Sequence, residues 1–171
     1  MTATPKYAIL ENERRFLVSV LPDLAGLTYR RIEDRYLEGT RLRLRAMTDS
    51  VTGARELKFC KTYGGEDPVS APITNLYLSE AEFAVLAVLP ARRITKRRYR
   101  LAHGGREFGL DVFEGELAGL ALCEAEAESR AAVLALVFPP WAGREVTEDP
   151  FFTGGNLCGV SAAELAARLA G

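Results

Sequence analysis

The sequence predicts an α+β fold in which an antiparallel sheet carries charged side chains on one face and packs short helices against the other. Six segments alternate ionisable and apolar residues with a period of two, which is typical of β-strands. Three further segments have the apolar spacing and the end signals of helices. The chain has 171 residues, enough for one sizeable core, and we predict a single domain over residues 1–171.

Each of the six candidate strands collects its charged side chains on one side. In the segment Glu11-Asn12-Glu13-Arg14-Arg15, alternate positions point to the same side of a strand, which groups Glu11, Glu13 and Arg15. The same rule groups the ionisable residues of the other five strands: Arg41, Arg43 and Arg45; Glu56 and Lys58; Lys96, Arg98 and Arg100; Asp111; and Glu124 and Glu126. Because Arg45 and Arg100 lie near predicted strand ends, their orientation stays open.

Two architectures fit this alternation. An antiparallel sheet with one wet face and one packed face is common, and helices would then lie beneath its apolar side. A closed barrel with charge lining its bore would carry its apolar side chains outside, under the helices. The alternation alone does not separate the two architectures.

The helices are predicted from their end signals. Ser79 and Glu82 form a capping-box pattern that opens a helix over residues 79–89, which Pro90 ends. A second helix is predicted over residues 128–138. A third, over residues 161–169, opens with the capping box of Ser161 and Glu164. The stretch 63–75, with two glycines and two prolines, is interpreted as a surface loop, and the pairs 104–105 and 114–115 as hairpin turns.

Composition excludes several function classes. The net charge of −1 argues against a nucleic-acid binder, which would show an excess of Lys and Arg. Acids and bases are interleaved instead, which suits a site that binds an anion and a cation together. The three cysteines form no CxxC pair, so we expect neither a disulfide framework nor a structural zinc site, and we expect a reducing cytosol. A single histidine excludes a histidine-rich metal site, and no apolar run predicts a signal peptide or a membrane span.

The charged segments resemble those of a known family. Glu11-Asn12-Glu13-Arg14-Arg15-Phe16-Leu17-Val18 resembles the ExExK signature of CYTH-domain proteins of the short bacterial type, also called triphosphate tunnel metalloenzymes. Later motifs follow in the family's order: Arg41-x-Arg43, Glu56-x-Lys58, Lys96-x-Arg98, Asp111-Val112-Phe113-Glu114-Gly115 and Glu124-x-Glu126. The segments 138–141 and 145–150 resemble the tail of the short bacterial members. The resemblance covers nearly the whole chain.

The resemblance implies an eight-stranded antiparallel β-barrel that forms a tunnel, with helices packed on its outside. It implies that basic residues bind a triphosphate: Arg15, Arg41, Arg43, Lys58, Lys96 and Arg98. It implies that carboxylates bind Mg²⁺ or Mn²⁺ as the cofactor: Glu11, Glu13, Glu124 and Glu126. These four residues and Asp111 form the predicted catalytic set. For Asp111 and Glu56 three roles stay open: metal ligand, acceptor for the attacking water, or salt-bridge partner of the basic residues.

The function expected from this resemblance is metal-dependent hydrolysis of a terminal phosphoanhydride. The substrate would be inorganic tripolyphosphate or a nucleoside or other organic triphosphate, with no nucleic-acid or membrane partner. Clustered Arg and Lys suit such a polyanion, and carboxylates supply the hard oxygen ligands that Mg²⁺ prefers. Two alternatives remain: a class IV-like adenylyl cyclase and a non-catalytic module that binds polyphosphate.

Three positions depart from the family pattern. Arg15 replaces the lysine of the signature, Asp34 stands where a glutamine is expected, and Phe151-Phe152 stand where a tyrosine is expected. Because arginine stays protonated, Arg15 is unsuited to act as a general base. If water is deprotonated in the reaction, a carboxylate or the metal must take the proton.

Overall fold

A computed structural model describes residues 5–170 and shows a closed antiparallel barrel. Its eight strands are β1 (Ile9–Leu17), β2 (Tyr29–Leu37), β3 (Leu42–Asp49), β4 (Arg55–Thr62), β5 (Ser70–Tyr77), β6 (Ala91–His103), β7 (Arg106–Phe113) and β8 (Ala121–Ala127). Around the barrel they follow the order β1-β5-β4-β3-β2-β6-β7-β8, and β8 pairs with β1 to close it. The predicted barrel is confirmed, and the half-exposed sheet is excluded.

The helices are short. They are α1 (Glu80–Leu86), α2 (Arg130–Leu134), α3 (Gly154–Leu157) and α4 (Ala162–Ala170), with 3-10 turns at Gly115–Leu117 and Pro150–Phe152. Over residues 5–170 none of these helices has the length and apolar character needed to cross a bilayer.

The predicted helix starts are confirmed more closely than the predicted lengths. The Ser79 hydroxyl accepts from the Glu82 amide, and the Glu82 carboxylate accepts from the Ser79 amide, which completes the capping box of α1. The second helix is shorter than predicted: it begins after Ser129 and ends at Leu134. It ends early because the chain then turns inward at Leu136, which is buried against the barrel.

Two strands are absent from the sequence-based prediction. The prediction of a continuous loop over residues 63–75 is wrong, because Ser70 begins β5, which pairs with β1 and β4. Pro72 obscured this strand, since proline lacks the amide hydrogen of a normal ladder. In β2, charged residues occur on both faces, which hides the alternation. The predicted turn at residues 114–115 is also a longer connection, through the 3-10 turn Gly115–Leu117.

The outer wall of the barrel is covered as predicted where α2 packs on it. Val133 of α2 and Leu136 bury the outward side chains of Phe108 and Leu110 on β7. At one end of the barrel, however, apolar side chains lie inside as well. The inward-facing Ile94 of β6, Phe113 of β7 and Leu122 of β8 share an apolar cluster there with Phe152 and Leu157 of the C-terminal segment. The interior is therefore charged along most of its length and apolar at one end.

Candidate active site: a charged tunnel through the barrel

Two cavities, of about 650 and about 480 Å³, enter the barrel from opposite ends. We call the first opening the open mouth, which is lined by Arg30, Asp49, Lys58 and Arg100. The second is the covered mouth, which lies beside Arg41, Gly64, Phe152 and Leu157. Five charged residues line both cavities: Glu11, Arg43, Arg45, Arg98 and Glu126. The two cavities therefore meet at these residues, and the interior forms a tunnel.

The four predicted metal ligands lie on two adjacent strands. In the register of β1 and β8, Glu13 is paired with Glu126 and Arg15 with Glu124, and Glu11 lies two residues before Glu13. All four carboxylates therefore face the bore. Burial and the nearby Glu124 raise the pKa of Glu13 to about 8. Burial and Glu11 likewise raise the pKa of Glu126.

Burial is the main cause of both raised pKa values, and the neighbouring carboxylates add to it. A divalent cation beside these carboxylates would favour their charged forms. Within residues 5–170, no group of three or more His, Cys, Asp or Glu side chains is arranged closely enough to enclose a metal ion. Mg²⁺ and Mn²⁺ commonly bind through one or two carboxylates together with waters and phosphate oxygens. The carboxylates of β1 and β8 are the donors that fit.

Basic side chains face these carboxylates across the tunnel. Arg43 and Arg45 of β3 and Arg98 of β6 stand at the junction of the two cavities, with Lys58 nearer the open mouth. The Nε of Arg43 is buried and has no hydrogen-bond acceptor among the described residues. A buried guanidinium donor without an acceptor is costly, and a phosphate oxygen would satisfy it.

Asp111 is fully buried in the barrel wall. Its carboxylate accepts hydrogen bonds from Lys96 Nζ and from Arg98 Nε and Nη2, the latter two at 2.6 Å. These cations hold the pKa of Asp111 well below its usual range despite its burial. Asp111 is fully buried and lines neither cavity. Of the three roles left open, its contacts match that of a salt-bridge partner. Glu56 is similarly paired with Lys58 at 2.8 Å.

Arg15 joins the carboxylate cluster to the C-terminal segment. Its Nε lies 3.0 Å from Glu13 Oε1, and its Nη1 donates to the carbonyl oxygen of Phe152 at 3.0 Å. Arg41 stands at the covered mouth and donates to the carbonyl oxygen of Tyr63. Of the remaining predicted binding residues, Arg43 and Arg98 lie at the junction, Lys58 lies near the open mouth, and Lys96 is paired with Asp111.

Sequence reasoning singled out Asp34 only as a departure from the family and did not place it in the site. It is buried in the tunnel wall and forms an ion pair with Arg45. The alternation of Arg43 and Arg45 had placed Arg45 on the charged face. Because β2 was not predicted, nothing in the sequence placed Asp34 beside Arg45. Arg45 faces the bore, whereas Arg100 is exposed at the open mouth beside Glu107.

Paired carboxylates facing arginines inside a closed barrel define a tunnel-type anion-binding protein. No family model matches the chain. The chain is 35% identical over 145 residues to an inorganic triphosphatase of Nitrosomonas europaea, an alignment that covers 81% of this chain and 90% of that relative. The chain belongs to the CYTH-domain family, the triphosphate tunnel metalloenzymes.

Solved structures agree with this assignment. The crystal structure of the inorganic triphosphatase NE1496 has 30% identity and a TM-score of 0.57, and the match covers 86% of this chain and 93% of that one. A structure from Bacillus halodurans described as a candidate adenylate cyclase has 14% identity and a TM-score of 0.51, and covers 75% of this chain and 86% of that one. At 14% identity this second likeness shows the fold alone.

Proposed function

We propose that this protein hydrolyses a terminal phosphoanhydride bond of inorganic triphosphate, with Mg²⁺ or Mn²⁺ bound by Glu11, Glu13, Glu124 and Glu126. Its homology to inorganic triphosphatases over most of the chain makes the protein a triphosphatase. The observation that carries the finer proposal is the junction of the two cavities. There the carboxylates of Glu11 and Glu126 and the guanidinium groups of Arg43, Arg45 and Arg98 face the same space.

The substrate follows from charge and from the named relatives. Inorganic triphosphate presents phosphate oxygens along its whole length and has no apolar part. The tunnel junction is lined by charged side chains, which suits a ligand of that kind. The relatives named above are inorganic triphosphatases, which favours the inorganic substrate over an organic triphosphate.

The proposed division of work uses the contacts of each residue. When bound, the metal ions would neutralise phosphate charge and acidify the attacking water. Arg43 and Arg98 would bind phosphate oxygens, and such preorganised donors supply much of the catalysis in phosphoryl transfer. Arg15 is held between Glu13 and Phe152, so its role is to orient a carboxylate. An arginine is unsuited to act as a general base, so a carboxylate or the metal must take the proton from water.

The test is phosphate release by the purified protein from tripolyphosphate, ATP and thiamine triphosphate. Each substrate is assayed with Mg²⁺, with Mn²⁺ and with chelator, and the ATP reactions are also screened for cyclic AMP. Metal-dependent release, fastest from tripolyphosphate, is the expected result. Cyclic AMP would favour the adenylyl cyclase, and tight binding without turnover would favour the polyphosphate-binding module.

Glu126→Gln tests the ligand assignment in the same assay. The amide removes one negative oxygen donor, so metal-dependent turnover should fall by about a hundredfold. Glu107→Gln is the matched control, because Glu107 is exposed and pairs with Arg100 outside the carboxylate cluster. Equal activity of the two variants would contradict the assignment of Glu126.

A reducing compartment is also part of the proposal. Cys60, Cys123 and Cys158 are all free thiols in the structure. Free thiols without a disulfide partner are usual in cytosolic proteins, which supports a cytosolic location.

A further inference from the structure

Asp34 is a buried carboxylate of the tunnel wall that the proposed chemistry does not use. It lies on β2, is 2% exposed, and is the register partner of Arg45 on β3. Its Oδ1 accepts from Arg45 Nε at 2.6 Å, and its Oδ2 accepts from Arg45 Nη2 at 2.7 Å. This bidentate pair fixes the plane of the Arg45 guanidinium.

The fixed guanidinium still has an edge to offer to a ligand. Arg45 lines both cavities, which places it at the tunnel junction. Asp34 occupies its Nε and Nη2, and within residues 5–170 its Nη1 donates to no protein acceptor. An anion in the junction could therefore bind Arg45 through Nη1 while Asp34 holds the opposite edge.

Asp34 also changes the charge of the junction. Burial alone would raise its pKa, but Arg45 and Arg43 lower it to about 2. The carboxylate is therefore ionised at neutral pH. Its Oδ1 lies 3.7 Å from Arg43 Nε as well, so one negative charge is set against two of the three junction arginines.

We propose that Asp34 is a positioning residue: it holds Arg45 in a fixed orientation toward the triphosphate and limits how tightly the junction binds anions. This inference rests on the proposed function. A preorganised donor favours the transition state, whereas a mobile arginine adapts equally well to substrate and product. An excess of positive charge would also retain the pyrophosphate product.

Asp34→Asn is the informative variant, because it keeps the shape of the side chain and removes the charge. We expect kcat for tripolyphosphate to fall about tenfold, since Arg45 loses its fixed orientation. We expect the inhibition constant of pyrophosphate to fall about fivefold, since the junction gains one unit of positive charge. KM should fall or stay constant.

Glu33→Gln is the matched control. Glu33 is the preceding residue on β2, lies on the outer face, and pairs with Arg31 at 2.6 Å. The Glu33→Gln variant loses the same charge as Asp34→Asn, but outside the tunnel. Its kcat and its inhibition constant for pyrophosphate should therefore equal those of the wild type. A merely structural role for Asp34 would lower Tm and leave both kinetic constants of the folded enzyme within twofold of the wild type. That result would overturn the inference.

A second pair of variants tests the inference if Asp34→Asn alone does not fold. Arg45→Gln and the double variant Asp34→Asn/Arg45→Gln are compared, because removing both members of a buried pair is better tolerated than removing one. If Asp34 orients Arg45 toward the substrate, the two proteins should have equal kcat. A further loss of kcat in the double variant would show that Asp34 acts elsewhere.

Failure of the proposed function is distinguishable from failure of this inference. If the wild type hydrolyses no triphosphate, the proposed function fails, and calorimetric titration with pyrophosphate still compares Asp34→Asn with Glu33→Gln. Tighter binding by Asp34→Asn alone would support the control of anion affinity. Equal binding by the two variants would overturn it.

Discussion

The hydroxyl of Tyr36 occupies the space that a side chain at Gly154 would need. Tyr36 faces inward on β2 near the covered mouth, and Gly154 begins α3 in the C-terminal segment. A Cβ built on Gly154 would overlap the Tyr36 hydroxyl. The absence of a side chain at residue 154 therefore allows the C-terminal segment to pack against this end of the barrel.

Gly154→Ala should destabilise the protein. Overpacking of this kind costs about 1–3 kcal/mol, because Tyr36 or α3 must move. Gly155→Ala is the matched control: it is the next residue of the same helix, and a Cβ there has no atom within 4 Å. Gly155→Ala should be neutral or slightly stabilising. The measurement is urea unfolding of both variants, and equal free energies of unfolding would contradict the contact.

The raised pKa of Glu13 predicts a stability that depends on pH. The folded protein retains a proton on Glu13 up to about pH 8, whereas an unfolded glutamate loses its proton near 4.5. The folded state binds more protons over this interval. The stabilisation that protonated Glu13 gives the folded state is therefore complete below pH 4.5 and is lost as the pH rises through 8.

Glu13→Gln should therefore unfold at a higher Tm than the wild type at about pH 9 and show little difference near pH 4.5. Thermal unfolding of metal-free protein across this range measures the effect. Glu33→Gln, on the outer face of β2, should show no such trend. Parallel Tm profiles of Glu13→Gln and the wild type would exclude the raised pKa.

Asp111→Asn should lower the free energy of unfolding by about 3–5 kcal/mol, because the buried Lys96 would lose its counter-charge and Arg98 would keep only Glu124. Unfolding in guanidinium chloride measures this loss of free energy. Glu107→Gln, at an exposed ion pair, should cost about 0–1 kcal/mol. An Asp111→Asn protein with normal stability and no activity would instead assign Asp111 a direct chemical role.

Arg43→Ala should raise KM for tripolyphosphate by at least about tenfold, because a charge-assisted hydrogen bond to phosphate contributes about 1.5–3 kcal/mol. Steady-state kinetics with excess metal measures the effect. Arg97→Ala removes an arginine of the outer face, where it pairs with Glu114 at 2.7 Å, and should leave KM unchanged. An unchanged KM in Arg43→Ala would place the substrate away from the junction.

Much of the site could be predicted from the period-two alternation of charged residues. Glu11 and Glu13, or Arg43 and Arg45, share a face because alternate side chains of any strand point to the same side. The capping boxes at Ser79 and Ser161 are equally local, and the structure contains both. In each case the residues that decide the outcome are within a few positions of each other.

The remaining features depend on contacts between distant residues. The β1–β8 register that pairs Glu13 with Glu126 closes the barrel, and no local spacing encodes it. The burial of Asp34 against Arg45 required β2, which its sequence pattern concealed. Likewise, the apolar packing of Phe152 on Ile94 exists only after the C-terminal segment has crossed the end of the barrel. Local spacing decides which side chains share a face. Strand pairing decides which of those faces meet inside the barrel, and burial together with the neighbouring charges sets the pKa values of the carboxyl groups there.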